Sequence, residues 1–303
     1  MARLFGAYVM ADWSAASKPK TGKDSVWIGV LKRDVRFRLT FEGFNPPTRS
    51  AAEAQLRTIL ADLKRRGDKA LIGFDFPLGY PEGTAAKLKL KSDPPWRAMW
   101  DFLGKEVRDK ADNTNNRFQV AAKMNRLMTD EARPFWGAPA NDAQRWLSST
   151  KPASHGADLP PLLRRTEQAT KGGGKAGAKS VWQIFGNGTV GSQAIVGIPA
   201  AKRLADELGE RAGVWPFTTG WRAITAEDVR PLDALLVEIY PSTFAAKPEA
   251  GEVLDQAQVR AAAEHFAKLD EAGKLGATFA APKGADEAVV AAVEREEGWI
   301  LGT

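Results

Sequence analysis

Val35, Phe37, Leu39 and Phe41 alternate with Arg36, Arg38 and Thr40, the two-residue period of a strand with one covered face. An apolar run at 25–31 precedes it across Lys32-Arg33-Asp34, so the pair reads as a hairpin. A further apolar stretch at 4–11, closed by Asp12, reads as a buried first strand beside it. The period then changes. Ser50 and Glu53 have the spacing of a capping box, Leu56, Ile59, Leu60 and Leu63 recur at helical intervals, and Gly67 supplies a stop. Residues 70–76 return to a continuous apolar run that holds Asp75 and ends at Pro77. Another such run at 234–240 holds Glu238 and ends at Pro241. Helical patterns at 255–269 and 285–297 close the chain.

Three strands that pair in sequence, then a helix, then helix-linked strands, predict an α/β fold: a ribonuclease-H-like mixed sheet flanked by helices. The stretch from Gly79 to Arg230 is too long for one crossover. It carries seven of the ten tryptophans and is mainly helical in pattern. The predicted organisation is therefore a core of residues 1–78 and 231–303 with an inserted, mainly helical lobe at 79–230. Within that lobe the Gly/Lys-rich stretch 171–179 is expected to be a mobile loop.

Composition narrows the chemistry more than the fold. The 303 residues include no cysteine and two histidines, His155 and His265, far apart in sequence. Thiolate zinc sites, cysteine nucleophiles and multi-histidine metal sites are excluded, which leaves carboxylates, lysines or a bound metal. Carboxylates select hard cations, Mg²⁺ or Mn²⁺. A net charge of +6 favours an anionic partner, nucleic acid or a phosphorylated small molecule. No apolar run has the length of a membrane span, and the 4–11 stretch lacks a signal-peptide pattern, so no membrane partner and a cytoplasmic location are expected.

Asp12 and Asp75 each fall at the end of an apolar strand, where ligands bind in open α/β sheets and where an unpaired carboxylate is costly. Asp286 lies three, four and seven residues before Val289, Val290 and Val293, on the face those valines present. Its alternative role is to cap the helix N-terminus. Glu238 is a fourth candidate, as a ligand, as an orienter of a ligand, or as the polar face of an edge strand. The expected metal ligands are Asp12, Asp75 and Asp286, with Glu238 at the margin.

Asp12-Trp13-Ser14, Gly73-Phe74-Asp75-Phe76-Pro77-Leu78-Gly79, Val237-Glu238-Ile239-Tyr240-Pro241 and Asp286-Glu287-Ala288 occur in an order that resembles domain-of-unknown-function family 429. Arg164-Arg165-Thr166-Glu167 resembles the same group. That resemblance implies a ribonuclease-H-like nuclease: a metal-dependent phosphodiesterase with Mg²⁺ or Mn²⁺ among Asp12, Asp75 and Asp286. Arg164, Arg165 or lysines of the 171–179 loop would then neutralise phosphate oxygens. Alternatives are a phosphotransferase or nucleotide hydrolase on the related actin-like fold, and a non-catalytic module that binds nucleic acid or protein.

Three other patterns are weaker. Gly186-Asn187-Gly188-Thr189-Val190-Gly191 is a formal GxGxxG after the strand-like 181–185. Asp206 and Glu207, the acids at ribose-binding distance, fall inside a helical pattern, and Pro199 interrupts the helix expected after the glycines. A loop at Gly186 and Gly188 that contacts phosphate or a carboxylate remains open. Residues 172–180 imitate a phosphate-binding Walker loop with the wrong spacing. Trp96, Trp100, Trp136 and Trp146 could stack on bases, but their spacing suits core packing better.

Overall fold

A computed structural model describes residues 3–171, 179–186 and 188–303 of the chain. The Gly/Lys-rich stretch 172–178, with most of the Walker-like pattern, lies outside the described residues, as does Asn187.

Six strands form one mixed sheet. β1 (Ala7–Asp12), β2 (Trp27–Arg33) and β3 (Leu39–Phe44) are an antiparallel meander. Helix α1 (Arg49–Arg66) then crosses over to β4 (Ala70–Phe74), which pairs parallel with β1. Further along the chain, β5 (Ala212–Val214) and β6 (Ala234–Glu238) add two more parallel strands, giving the order β3-β2-β1-β4-β6-β5. The strands that lead to Asp12 and Asp75 are therefore direct neighbours, with the Glu238 strand beyond.

Between Gly79 and Arg230 lie α2 (Thr84–Lys87), α3 (Pro95–Glu106), α4 (Arg117–Thr129), α5 (Arg165–Lys171), α6 (Gly191–Leu208), β5 and α7 (Ala226–Val229). This stretch gives the sheet its outermost strand and one of its covering helices. Ala11, Ile72 and Phe74 from the strands share a core with Leu56 of α1, Trp100 of α3 and Ile195 of α6. The opposite face, with Met10, Leu71 and Val237, is covered by α8 (Leu254–Glu271) through Val259, Ala263 and Phe266. Helix α9 (Glu287–Ala292) and a wider π-type turn at Val293–Glu297 complete the chain.

Two local expectations shift. The hairpin turn falls at 34–38, not at 32–34. Asp34 accepts hydrogen bonds from the Arg36 and Arg38 amides at 2.8 and 2.9 Å and from the Arg38 guanidinium, which holds a loop with Phe37 at φ 60°. Val35 and Phe37 are left outside the ladder and exposed, so their alternation does not mark a covered face. Helix α1 is capped by Thr48, whose hydroxyl accepts from the Ala51 amide at 3.2 Å, and Ser50 lies inside the first turn. Its apolar stripe and the Gly67 stop are as expected: Gly67 takes φ 74°, and the amides of Gly67 and Asp68 close on Lys64 and Leu63.

Trp96 and Trp100 are core residues. Trp96 stacks on Phe217, and the Trp100 indole N–H donates to the Leu78 carbonyl at 2.7 Å. Trp136 and Trp146 are half-buried, and Trp146 packs under the guanidinium groups of Arg126 and Arg145. Among the described residues no helix is long and apolar enough to cross a membrane.

Candidate functional site

Parallel pairing of β1 and β4 sets Ala11 beside Phe74, so the next residues, Asp12 and Asp75, leave the sheet together. The Asp75 amide continues the ladder by donating to the Ala11 carbonyl at 3.1 Å. One Asp75 oxygen accepts from the Trp13 amide at 2.7 Å and the other from Gln193 Nε2 of α6 at 3.1 Å. The two carboxyls are close enough that each perturbs the ionisation of the other. Each residue keeps some exposed surface, yet the carboxyls are crowded enough that desolvation is the main influence on both. Desolvation raises Asp75 to about 6, against the opposing pull of its hydrogen bonds. Asp12 is held well above the usual carboxylate range by desolvation first, then by the negative charge of Asp75 and more weakly by Asp255 and Asp24. With both carboxyls raised, the pair resists full ionisation more than two separate acids would.

Asp24 and Asp255 are acids that the sequence patterns did not single out. The Asp24 amide donates to Asp255 Oδ2 at 2.6 Å, which ties the β1–β2 connection to the first turn of α8. Both line the cleft of about 490 Å³ that opens at Asp12, together with Arg117, Gly186 and Gly188. A smaller cavity of about 180 Å³ continues past Asp75 to Tyr240 and Gln258. The one sequence signal for Asp255 is its place at the start of a helical pattern, the position at which any acid reads as helix-end stabilisation.

Asp286 is not brought to this pair. It is exposed and caps α9, its carboxylate accepting from the Ala288 amide at 2.7 Å. The valine phasing holds, with Val289 and Val290 half-buried and Val293 fully buried. At an N-cap, however, the backbone leaves the helical path, and the side chain turns to the free amides of the first turn. Among the described residues no group of three or more His, Cys, Asp or Glu has the arrangement to hold a metal ion.

Glu238 also serves elsewhere. It pairs with Phe74 in the sheet and so lies in phase with Ala11 and Phe74, one residue out of step with Asp12 and Asp75. That step sends it to the α6 side, where it is buried and forms a two-pronged ion pair with Arg164 at 2.6 and 2.8 Å. Arg164 is fully enclosed and also bonds Glu167 at 2.7 Å and the Glu297 carbonyl at 2.8 Å. No N–H of its guanidinium is left for a phosphate. Arg165 bonds Glu297 and Glu82, both at 2.8 Å. Burial raises Glu167 and Glu296 above their ordinary range, partly offset by Arg164 for the first and by the Ala85 and Gly83 amides for the second. This buried network ties the C-terminal turn to β6 and α5. It also explains Gly79, where a Cβ would lie 2.3 Å from the Glu296 carbonyl oxygen.

The glycine loop is placed where a ligand can reach it. Gly186 and Gly188 line the cleft, and α6 begins at Gly191 and runs unbroken through Pro199 to Leu208, so the proline does not interrupt it. What precedes the loop is a turn with a single bridge from Gln183 to Trp136, not a strand of the sheet, so the dinucleotide-binding unit is absent from this segment. Asp206 and Glu207 are taken by ion pairs to Arg97, Lys202 and Arg57. His155 bonds the Pro160 carbonyl, His265 packs against Phe244, and neither lines the cleft.

These features define an α/β protein with a six-stranded mixed sheet and a carboxyl pair at the ends of two adjacent parallel strands. Comparison with known proteins found no matching family model, no matching curated protein and no matching solved structure.

Proposed function

We propose that the chain is a divalent-metal-dependent hydrolase of phosphate esters on a ribonuclease-H-like core, with Asp12 and Asp75 as the metal-holding residues. The observation that carries this reading is the Asp12–Asp75 carboxyl pair at the ends of two adjacent parallel strands, with both carboxyls crowded from solvent and costly to ionise. Two acids pressed together where only a proton relieves their repulsion form a site that a Mg²⁺ or Mn²⁺ ion would complete. The strand order, with an antiparallel meander followed by parallel strands, supports the same core. Mg²⁺ is commonly held by one or two carboxylates, waters and substrate phosphate oxygens, so a third protein carboxylate at contact distance is not required. Asp255 and Asp24 replace Asp286 as the acids that add negative charge around the ion.

A bound cation supplies Lewis acidity to a phosphoryl oxygen and acidifies water. The chain's own residues do the rest. Trp13 N–H and Gln193 fix the Asp75 carboxyl, and Asp12 in its ionised form would hold the cation together with Asp75. Attack of water on phosphorus would form one P–O bond and break the ester P–O bond, and the proton released by the water would pass through solvent to the leaving oxygen.

The test is titration calorimetry with Mn²⁺ on the parent and on Asp12→Asn, beside hydrolysis of a generic phosphodiester, nucleotides and oligonucleotides. Metal binding lost in Asp12→Asn together with metal-dependent hydrolysis supports the proposal. Metal binding without hydrolysis of any ester favours a non-catalytic module, and equal Mn²⁺ affinity in the two proteins refutes the site.

A further inference from the structure

Arg117, at the start of α4, is nine-tenths buried on one wall of the cleft. Its Nε donates to Ser192 Oγ at 3.1 Å, and its Nη1 to Ser17 Oγ at 2.8 Å and to Asn115 Oδ1 at 2.9 Å. The guanidinium also lies 4.2 Å from the Phe118 ring centre. All three hydrogen-bond partners are neutral. Among the described residues Arg117 has no carboxylate in ion-pair contact, and its Nη2 takes no hydrogen bond. Neighbouring Arg49 shows the contrast, with both Asp109 oxygens at 2.6 Å. A guanidinium desolvated without a carboxylate in contact is costly, and burial together with the charge of Arg49, against the weaker pull of Asp142 and Asp109, lowers Arg117 to about 10. The serines and the asparagine hold it in one orientation, so its free edge is set in advance.

The same wall carries a second anion-seeking element. Helix α6, 18 residues long, starts beside the cleft with no side-chain cap, and Ser192 and Gln193 of its first turn line the cavity. The Gly191 amide is taken by the Gln183 carbonyl at 3.2 Å, but among the described residues the Ser192 and Gln193 amides donate to no acceptor, so they and the positive end of the dipole are available to a ligand. Gly186 and Gly188 precede it at φ 113° and 67°, with no side chain to block close approach.

We propose that this wall is a subsite for one phosphate group of a small phosphorylated molecule, with the phosphate oxygens shared between Arg117 Nη2 and the Ser192 and Gln193 amides of α6, beside Gly186 and Gly188. Among the described residues this wall offers one unengaged guanidinium edge, that of Arg117, which suits a single phosphate. Lys20 at the rim is engaged with Asp24 at 3.5 Å, and Asp12, Asp24 and Asp255 line the same cleft. A polynucleotide would need a row of unpaired cations, whereas a cavity of about 490 Å³ matches a small-molecule pocket. The identification of the phosphate as the group that reacts rests on the Asp12–Asp75 hydrolase reading; the subsite itself does not require metal.

The experiment is calorimetric titration of the full chain with inorganic phosphate in the presence of a chelator, then with Mn²⁺. The parent should bind one phosphate, Arg117→Met should weaken binding at least tenfold, and Arg117→Lys should fall between them. Mn²⁺ binding should be the same in all three. A parent that binds no phosphate, or Arg117→Met that binds it as well as the parent, overturns the subsite. Should Arg117→Met fail to melt cooperatively, parent crystals soaked in tungstate decide: an anomalous peak beside Arg117 is expected, and its absence there overturns the proposal. Phosphate binding without Mn²⁺ binding removes the hydrolase reading and leaves the subsite standing. Oligonucleotide binding that is tighter than that of mononucleotides, with a steep salt dependence, overturns the assignment to small molecules.

Discussion

The Asp12 and Asp75 carboxyls stand together at the ends of adjacent parallel strands; the Trp13 amide and Gln193 brace Asp75, whereas among the described residues no amide or glutamine braces Asp12. This asymmetry makes Asp12 the group to neutralise. Asp12→Asn removes a carboxyl that resists ionisation and keeps its shape, so the metal-free protein at pH 7–8 should gain stability, about 2–4 °C in melting temperature. The same variant should lose all stabilisation by Mn²⁺, which thermal melts with and without the ion will show.

The pair also sets a pH dependence. With Asp75 raised from 3.8 to about 6 and Asp12 also raised well above its ordinary value, the folded protein binds protons more tightly than the unfolded chain. Their contribution to stability is therefore full below about pH 3.8 and is lost as pH rises through about 6 and beyond. Mn²⁺ competes with those protons, so its affinity should rise over the same interval. Calorimetry in buffers of different ionisation enthalpy should register proton release on binding.

Arg164 and Glu238 behave as structural partners. Leaving Glu238 buried without its counter-ion, as in Arg164→Met, should cost about 3–5 kcal/mol of folding stability in chemical denaturation. If the variant remains folded at low temperature, its Mn²⁺ affinity should match the parent's, a result that separates this network from the Asp12–Asp75 pair.

Asp286→Ala removes an exposed helix cap and should cost about 1 kcal/mol. Its Mn²⁺ binding should be unchanged. A loss of metal affinity equal to that of Asp12→Asn would restore Asp286 to the site.

Local pattern was enough to read the helix stripe of α1, the apolar runs that became β1, β4 and β6, and the acids at the ends of β1 and β4. Strand ends and helical faces are short-range properties, written in consecutive residues. The partners of those acids depend on which distant segments the fold brings together. Whether Glu238 faces Asp12 turns on a single step of strand register, and that step gave it to Arg164, 74 residues away in the chain. Asp286 kept the phase of its valines, but helix-end geometry turned its carboxylate to its own amides. Asp255 and Arg117 reach the cleft because α8 and α4 start beside it. Residue spacing shows that a carboxylate ends a strand; tertiary packing alone decides whether a proton, an arginine or an open cleft lies opposite it.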